Sequence, residues 1–185
     1  SINLEEKKNK TQQYVLKIIG NMNSYPFNKS GIIAEKQKNP KIKVNIKYKR
    51  DELSPEEVQE LKELLDNHHN RLIFLQKLND YRGLGKFYLC KEDFNLLSEM
   101  FALITDKIKR DTDHQCAERI IILSETYCRE KGKRKIFLQE SIKNNDIFKD
   151  KNFWEEFLCY SINKHIMQTL ERDKKIRENK KETDS

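Results

Sequence analysis

The sequence predicts an all-α fold, a bundle of about six helices with an N-terminal helix and an extended basic arm. Three observations predict it. The chain has only 5 Gly and 3 Pro in 185 residues, which leaves little material for the turns of a sandwich or barrel. Apolar residues recur at the i, i+3, i+4, i+7 spacing that buries one helix face. The segment Ser54-Pro55-Glu56-Glu57 combines an N-cap, a first-turn proline and a capping box.

The sequence predicts one helix and an extended arm in the N-terminal part of the chain. Residues 3–22 carry an apolar stripe of helical period. Apolar and polar, mostly basic side chains alternate over residues 41–49 with the period of a half-buried strand. We interpret residues 1–53 as a helix followed by an extended arm on the helical body, with or without a short hairpin. The strand period turns four lysines outward together as a possible partner-binding row: Lys41, Lys43, Lys47 and Lys49.

The sequence predicts a helical domain over residues 54–170. Its first long helix begins after Ser54 and reaches Asn79, with a weak spot at Asn67-His68-His69-Asn70 where it bends or splits. Apolar stripes predict further helices over 91–109, 112–131 and 134–143, and Gly132 is interpreted as the stop of the second of these.

The last helix contains the only tryptophan and organises the predicted core. Asp150 precedes it as an N-cap, and an apolar stripe follows from Phe153 to Ile166. Residues 171–185 are a charged helical extension or a disordered tail. The predicted core residues are Trp154, Phe157, Ile162, Phe94, Phe101 and Leu123.

Charge is unevenly distributed along the chain. Residues 1–50 hold 12 basic and 3 acidic residues, a net charge of +9, whereas the whole chain has +7. The rest is therefore close to neutral, which weakens the case for nucleic-acid binding by the whole protein. No apolar run is long enough for a membrane span or a signal peptide, so we expect a cytoplasmic protein. Because the chain begins with Ser, we expect a piece of a longer protein.

The sequence offers no convincing catalytic, cofactor-binding or metal-binding set, and we expect no enzyme. Its cysteines lack the C-x-x-C pair that zinc and redox motifs need, which predicts reduced, mostly buried thiols. Gly83-Leu84-Gly85-Lys86 follows a helix and lacks the remainder of a phosphate loop. His114 and Cys116 form one ligand pair without a second. The four cysteines are Cys90, Cys116, Cys128 and Cys159.

Arg82 lies at a helix-to-loop junction between Tyr81 and Gly83. One hypothesis makes it an arginine finger, which would act on a GTPase by stabilising charge in the transition state. The alternative is an arginine that binds helix C-terminal carbonyls or a carboxylate. We favour the alternative, because the finger mechanism also needs a nucleotide-binding partner.

Residues of roughly 72–166 resemble a helical domain family. The resemblance lies in Phe94, Leu97 and Phe101, in residues 122–127, and in Asp146-Ile147-Phe148 followed by Phe153-Trp154-Glu155-Glu156-Phe157. This family occurs in the SET-binding-factor (myotubularin-related) pseudophosphatases and in a related neuronal protein. The resemblance implies a helical fold without catalysis, with scaffolding in membrane traffic, cytoskeletal or small-GTPase signalling.

The favoured hypothesis is therefore a non-enzymatic protein-interaction module of a larger regulator, with a protein partner. One alternative is a GTPase-activating or GTPase-binding module that uses Arg82 on a small GTPase. Another is a basic arm that binds anionic membrane or nucleic acid. The sequence predicts no oligomeric state.

Overall fold

The computed structural model describes residues 3–24, 52–84 and 87–183. The described residues form seven α-helices, one 3-10 helix and a two-stranded sheet, so the predicted all-α class is confirmed. None of the described helices is long and apolar enough to cross a membrane. The arm residues Lys41, Lys43, Lys47 and Lys49 lie outside the described residues.

The chain divides into two compact units, residues 1–144 and 145–185. The predicted boundaries after residues 53 and 170 stay predictions. The elements of the first unit are α1 (Leu4–Ser24), α2 (Pro55–Leu64), α3 (His68–Gly83), α4 (Lys91–Asp111), α5 (His114–Ser124), β1 (Cys128–Lys131), β2 (Arg134–Phe137) and α6 (Gln139–Ile142).

The core of the first unit lies among its helices. Helix α1 packs against α2 and α3, while α5 packs against α3 and α4. Phe94, Phe101 and Leu123 are buried, as are the apolar faces of the neighbouring helices. Ion pairs flank the contact between α1 and α2: Lys10 lies 2.5 Å from Glu60 and Lys17 lies 2.6 Å from Glu57.

The helix predicted from Ser54 to Asn79 splits at the weak spot. Ser54 caps α2 and completes the capping box with Glu57. Helix α2 ends at Leu64, and Asn67 then caps α3 by accepting the N–H groups of His69 and Asn70. The side chain of Asn67 thus replaces backbone partners that a continuous helix would have supplied.

The helices predicted over 112–131 and 134–143 were wrong in part. Helix α5 ends at Ser124, and a hairpin of β1 and β2 follows, with Cys128 opposite Phe137. Gly132 adopts φ +64 in the two-residue hairpin turn, a conformation that a side chain disfavours, and does not stop a helix. Only Gln139–Ile142 of the second segment is helical. The reason is non-local pairing, because the N–H of Cys128 also donates to Phe87.

The second unit contains the 3-10 helix (Asp146–Lys149) and α7 (Lys151–Thr183). Asp150 accepts the N–H of Phe153, as expected of an N-cap. Helix α7 continues through most of the segment after residue 170, which was predicted as a helical extension or a disordered tail.

The predicted core on α7 was wrong for Ile162, whose side chain is 50% exposed. Trp154 and Phe157 are half-buried, and only Phe153 of the apolar stripe is buried. The helical period was correct, but a period alone does not decide whether a partner covers the face.

Capping by Asn67 predicts a measurable stability effect. Replacing Asn67 with Ala leaves two N–H groups of α3 without their side-chain acceptor, so the free energy of unfolding falls by about 1 kcal/mol. Asn95→Ala, at an exposed position inside α4, is the matched control and should be neutral or stabilising, because Ala is the better helix former. Urea denaturation checks both variants, and equal losses would contradict the capping role.

Candidate functional site

A buried charged cluster joins the turn between α2 and α3 to the turn between α4 and α5. At its centre is Arg71, whose side chain is fully buried. Its Nη2 lies 2.7 Å from Asp111 Oδ2 and 3.2 Å from Asp113 Oδ2. Its Nη1 donates to the carbonyls of Asp66, at 2.9 Å, and Leu65, at 3.3 Å. One guanidinium therefore satisfies the end of α2 and pairs with the carboxylates beside α5.

Asp113 is the second centre of the cluster. It caps α5, with Oδ1 accepting the N–H of Cys116 at 3.0 Å. Its Oδ2 lies 2.7 Å from His68 Nδ1, and since an ionised carboxylate only accepts, that nitrogen carries the proton. Burial raises the pKa of Asp113, but hydrogen bonds from Cys116 and His68 outweigh it and hold that pKa below its usual range.

Thr112 lies between the two carboxylates in a left-handed conformation, with φ 51 and ψ 46. A β-branched residue rarely adopts this region, because its side chain crowds the backbone. The position ends α4 and allows Asp113 to begin α5 at once. The strained residue thus belongs to the turn that holds both carboxylates near Arg71.

His68, Asp113 and Cys116 bring three potential metal-ligand atoms within 4.8 Å of one another. The arrangement nevertheless fits an ion-pair cluster better than a metal site. A cation on Asp113 Oδ2 would compete with the Arg71 guanidinium at the same oxygen, 3.2 Å away. Burial, followed by the hydrogen bond to Asp113, also raises the pKa of the Cys116 thiol, whereas a metal needs a thiolate.

The same facts argue against nucleophilic chemistry in this cluster. Cys116 is fully buried and its thiol stays neutral, while reactive cysteines are accessible and have a lowered pKa. The cluster can therefore hold two turns in place, and its residues are suited to structural work rather than to turnover.

A second candidate site is the exposed apolar face of α7, in the second unit. Its residues lie four apart, so they share one side of the helix. The side chains are 58%, 50%, 49% and 58% exposed in the order Leu158, Ile162, Ile166 and Leu170. Isolated exposed apolar residues are common, but a contiguous row marks a binding surface.

An aromatic cluster supports the beginning of α7. Trp154 stacks on Phe148 with ring centroids 5.8 Å apart and meets Phe153 and Phe157 edge-on. The indole N–H of Trp154 donates to the Ile147 carbonyl at 2.8 Å. These contacts tie the 3-10 helix to the first turns of α7. The apolar face lies beyond Trp154, on a helix whose beginning is held in place.

The sequence-predicted partner residue Arg82 lies at the end of α3, half-buried. Its Nε donates to the side-chain oxygen of Asn79 at 3.1 Å. Arg82 is not part of the charged cluster, whose contacts join residues 65–71 to residues 111–116.

Sequence reasoning missed Arg71 and its carboxylates. A signal was present, because Arg71 falls in register with Leu64, His68, Leu75 and Leu78 on the apolar stripe. A charged side chain at a core position needs a buried partner of opposite charge. The carboxylates of Asp111 and Asp113 supply that partner.

Comparison with known proteins gave one finding. A family model described as "SBF2: Myotubularin protein" matches residues 55–185. No curated protein and no solved structure matches the chain.

The lowered pKa values predict loss of stability in acid. The hydrogen bond from Arg110, with help from Arg71, lowers the pKa of Asp111 to about 2. A group with a depressed folded-state pKa stabilises the fold above its unfolded pKa of about 4, and this contribution disappears as pH falls through the folded value. The free energy of unfolding should therefore drop between about pH 4 and about pH 2.

Urea denaturation over that pH range tests the expectation. Asp111→Asn should lower stability at neutral pH and make the acid-induced fall shallower, because the variant has no carboxylate to protonate there. An unchanged pH profile in the variant would contradict the contribution of Asp111.

Proposed function

Because the chain belongs to the SBF2 family, described as Myotubularin protein, we propose that it is a non-enzymatic protein-interaction module of a larger cytoplasmic regulator. The regulator acts in membrane traffic, cytoskeletal or small-GTPase signalling. The observation that carries the proposal is the exposed apolar face of α7, which lies within the matched residues 55–185.

The apolar face of α7 has the form of one half of a helix–helix contact. Four large side chains follow one another along one side of the helix, all of them Leu or Ile and each about one turn from the next. Such a row packs well against a second helix that carries its own apolar stripe. Covering it would remove apolar surface from water, at roughly 25 cal/mol per Å².

Charge beyond the apolar face indicates the chemistry of the partner. The next exposed turns of α7, residues 171–178, carry four basic side chains and three acidic side chains, and Lys174 lies 3.9 Å from Glu178. We therefore propose an amphipathic partner helix whose apolar stripe covers Leu158 to Leu170 and whose end beside residues 172–177 is acidic. Opposite charges at the rim set the orientation and speed the encounter.

Support for the non-enzymatic part comes from the buried cluster, in which Cys116 is neutral and inaccessible. Arg82 is left out of the proposed surface, because its guanidinium is held by Asn79.

We expect charged substitutions on the apolar face to abolish partner binding while the fold is kept. A photo-reactive residue at position 162 of the full chain would first identify the protein that contacts α7 in cells. The purified partner is then titrated against the wild type and Ile162→Glu/Ile166→Glu. A buried, unpaired carboxylate is costly, so the double variant should lose binding while its thermal midpoint stays unchanged.

Gln168→Glu is the matched control, since it adds a carboxylate to an exposed position of α7 outside the apolar face. We expect the control to bind like the wild type. Equal binding by Ile162→Glu/Ile166→Glu would reject the apolar face as the contact. Cross-linking of the chain only to itself would replace the proposed partner with a second copy.

A further inference from the structure

The tip of the β-hairpin concentrates positive charge. We define the basic tip as Lys131, Lys133 and Arg134, around the turn residue Gly132. The pairing register places Lys131 directly opposite Arg134. Like charges directly opposite each other destabilise a strand pair. This pair therefore weakens the hairpin and does not stabilise it.

The three basic side chains are exposed, and none has an ion-pair partner among the residues that the structure describes. Some other basic residues of the first unit are paired. Lys62 lies 2.6 Å from Glu99, and Lys107 lies 2.5 Å from Asp66. The positive charge of the basic tip is therefore uncompensated within the described part of the chain.

The base of the hairpin is anchored, in contrast to its tip. The N–H of Leu89 donates to the Cys128 carbonyl at 2.8 Å, and the N–H of Leu138 donates to Tyr127 at 2.9 Å. The hydroxyl of Tyr127 donates to the Leu78 carbonyl at 2.7 Å. Helix α3 and the segment before α4 thus hold the hairpin, which presents the basic tip on a fixed support.

The remaining basic residues of the hairpin are engaged by aromatic rings. Arg129 lies 5.0 Å from the centroid of Phe94, and Lys135 lies 5.0 Å from that of Tyr88. These cation–π contacts add to the anchoring. They also cover a face of each ring, so the rings offer no open platform on that side for stacking nucleic-acid bases.

We propose that the basic tip is an electrostatic contact for an anionic membrane surface. Its charges sit on an exposed two-residue turn and on the two strand residues that flank it, so they suit a surface that rearranges around them. Lipid headgroups do so, because they are mobile. The contact carries no apolar side chain at Gly132 or Lys133, and it therefore rests on charge alone.

The size of the contact follows from its charge. Each basic residue near an anionic leaflet strengthens binding about five-fold, so three contribute on the order of 10²-fold. Because exposed charges are screened over roughly 8 Å at physiological ionic strength, binding must weaken as salt rises.

Vesicle sedimentation of the full chain tests the proposal. Vesicles of phosphatidylcholine with and without phosphatidylserine are compared at low and high salt. The variant Lys131→Gln/Lys133→Gln/Arg134→Gln should partition on the order of 10²-fold more weakly onto the anionic vesicles at low salt. A thermal midpoint equal to or above that of the wild type would show that the exposed substitutions leave the fold intact, because they also remove the repulsion between residues 131 and 134.

The matched control is Lys149→Gln/Lys151→Gln/Lys174→Gln. It removes the same charge from exposed lysines, but these lie 3.7 Å, 3.5 Å and 3.9 Å from Asp146, Glu155 and Glu178. The control should bind like the wild type. Equal losses in the two variants would overturn the proposal by showing that only net charge matters. Binding of the tip variant at the wild-type level would overturn it too.

Two further measurements separate the other outcomes. If the triple variant unfolds, Lys133→Glu in the turn should still weaken anionic binding on the order of 10-fold, since it reverses one charge. A duplex RNA probe is titrated in parallel. Tip-dependent binding to RNA, with none to anionic vesicles, would overturn the lipid assignment in favour of a nucleic acid.

Discussion

The buried guanidinium of Arg71 is the constraint on which the first unit depends. A charge without solvent costs several kcal/mol unless it is fully paired. Arg71 meets this requirement with two carboxylates and two backbone carbonyls, drawn from the turns on either side of it. The positions of both turns are therefore coupled, because moving either would leave a buried charge without its partner.

This coupling accounts for local features that otherwise conflict with sequence preference. Thr112 keeps a left-handed backbone that its β-branched side chain disfavours. The strain persists because relaxing it would move Asp111 and Asp113, which flank it, away from Arg71. In the same way Asn67 ends the long apolar pattern of the second and third helices at the place where Arg71 takes up the carbonyls of Leu65 and Asp66. The chain therefore forms two short helices, α2 and α3, joined by a turn whose carbonyls bind Arg71, instead of one long helix.

The sequence predicted the helices whose determinants are local. The capping box at Ser54 and the weak spot after Leu65 both gave correct positions, since each depends on residues a few places apart. The hairpin was missed because its pairing joins Cys128 to Phe137 and to Phe87, and helical spacing over that segment concealed it. The charged cluster was missed for a related reason, as residues 71 and 113 meet only after folding. On the last helix the predicted helical period was correct, but the predicted burial of Ile162 was wrong. Ile162 has the spacing of a core residue and yet faces solvent.

Two surfaces remain after the core is accounted for, and they differ in physical character. The apolar face of α7 excludes water when covered and suits a shaped protein partner, whereas the basic tip acts by charge without shape. The apolar face is built from Leu and Ile side chains, and the basic tip from Lys and Arg side chains. Both surfaces lie within residues 55–185, which the family model matches.

A double-mutant cycle on Arg71 and Asp113 tests the central constraint most directly. Arg71→Met, Asp113→Asn and the double variant are compared by urea denaturation, with Arg82→Met as a half-buried arginine control from the same helix. Arg71→Met alone should lose about 3–5 kcal/mol, because it leaves a buried carboxylate unpaired. Adding Asp113→Asn should recover part of that loss, giving a coupling energy of about 1–3 kcal/mol. Additive losses, or a loss in Arg71→Met no larger than that in Arg82→Met, would contradict it.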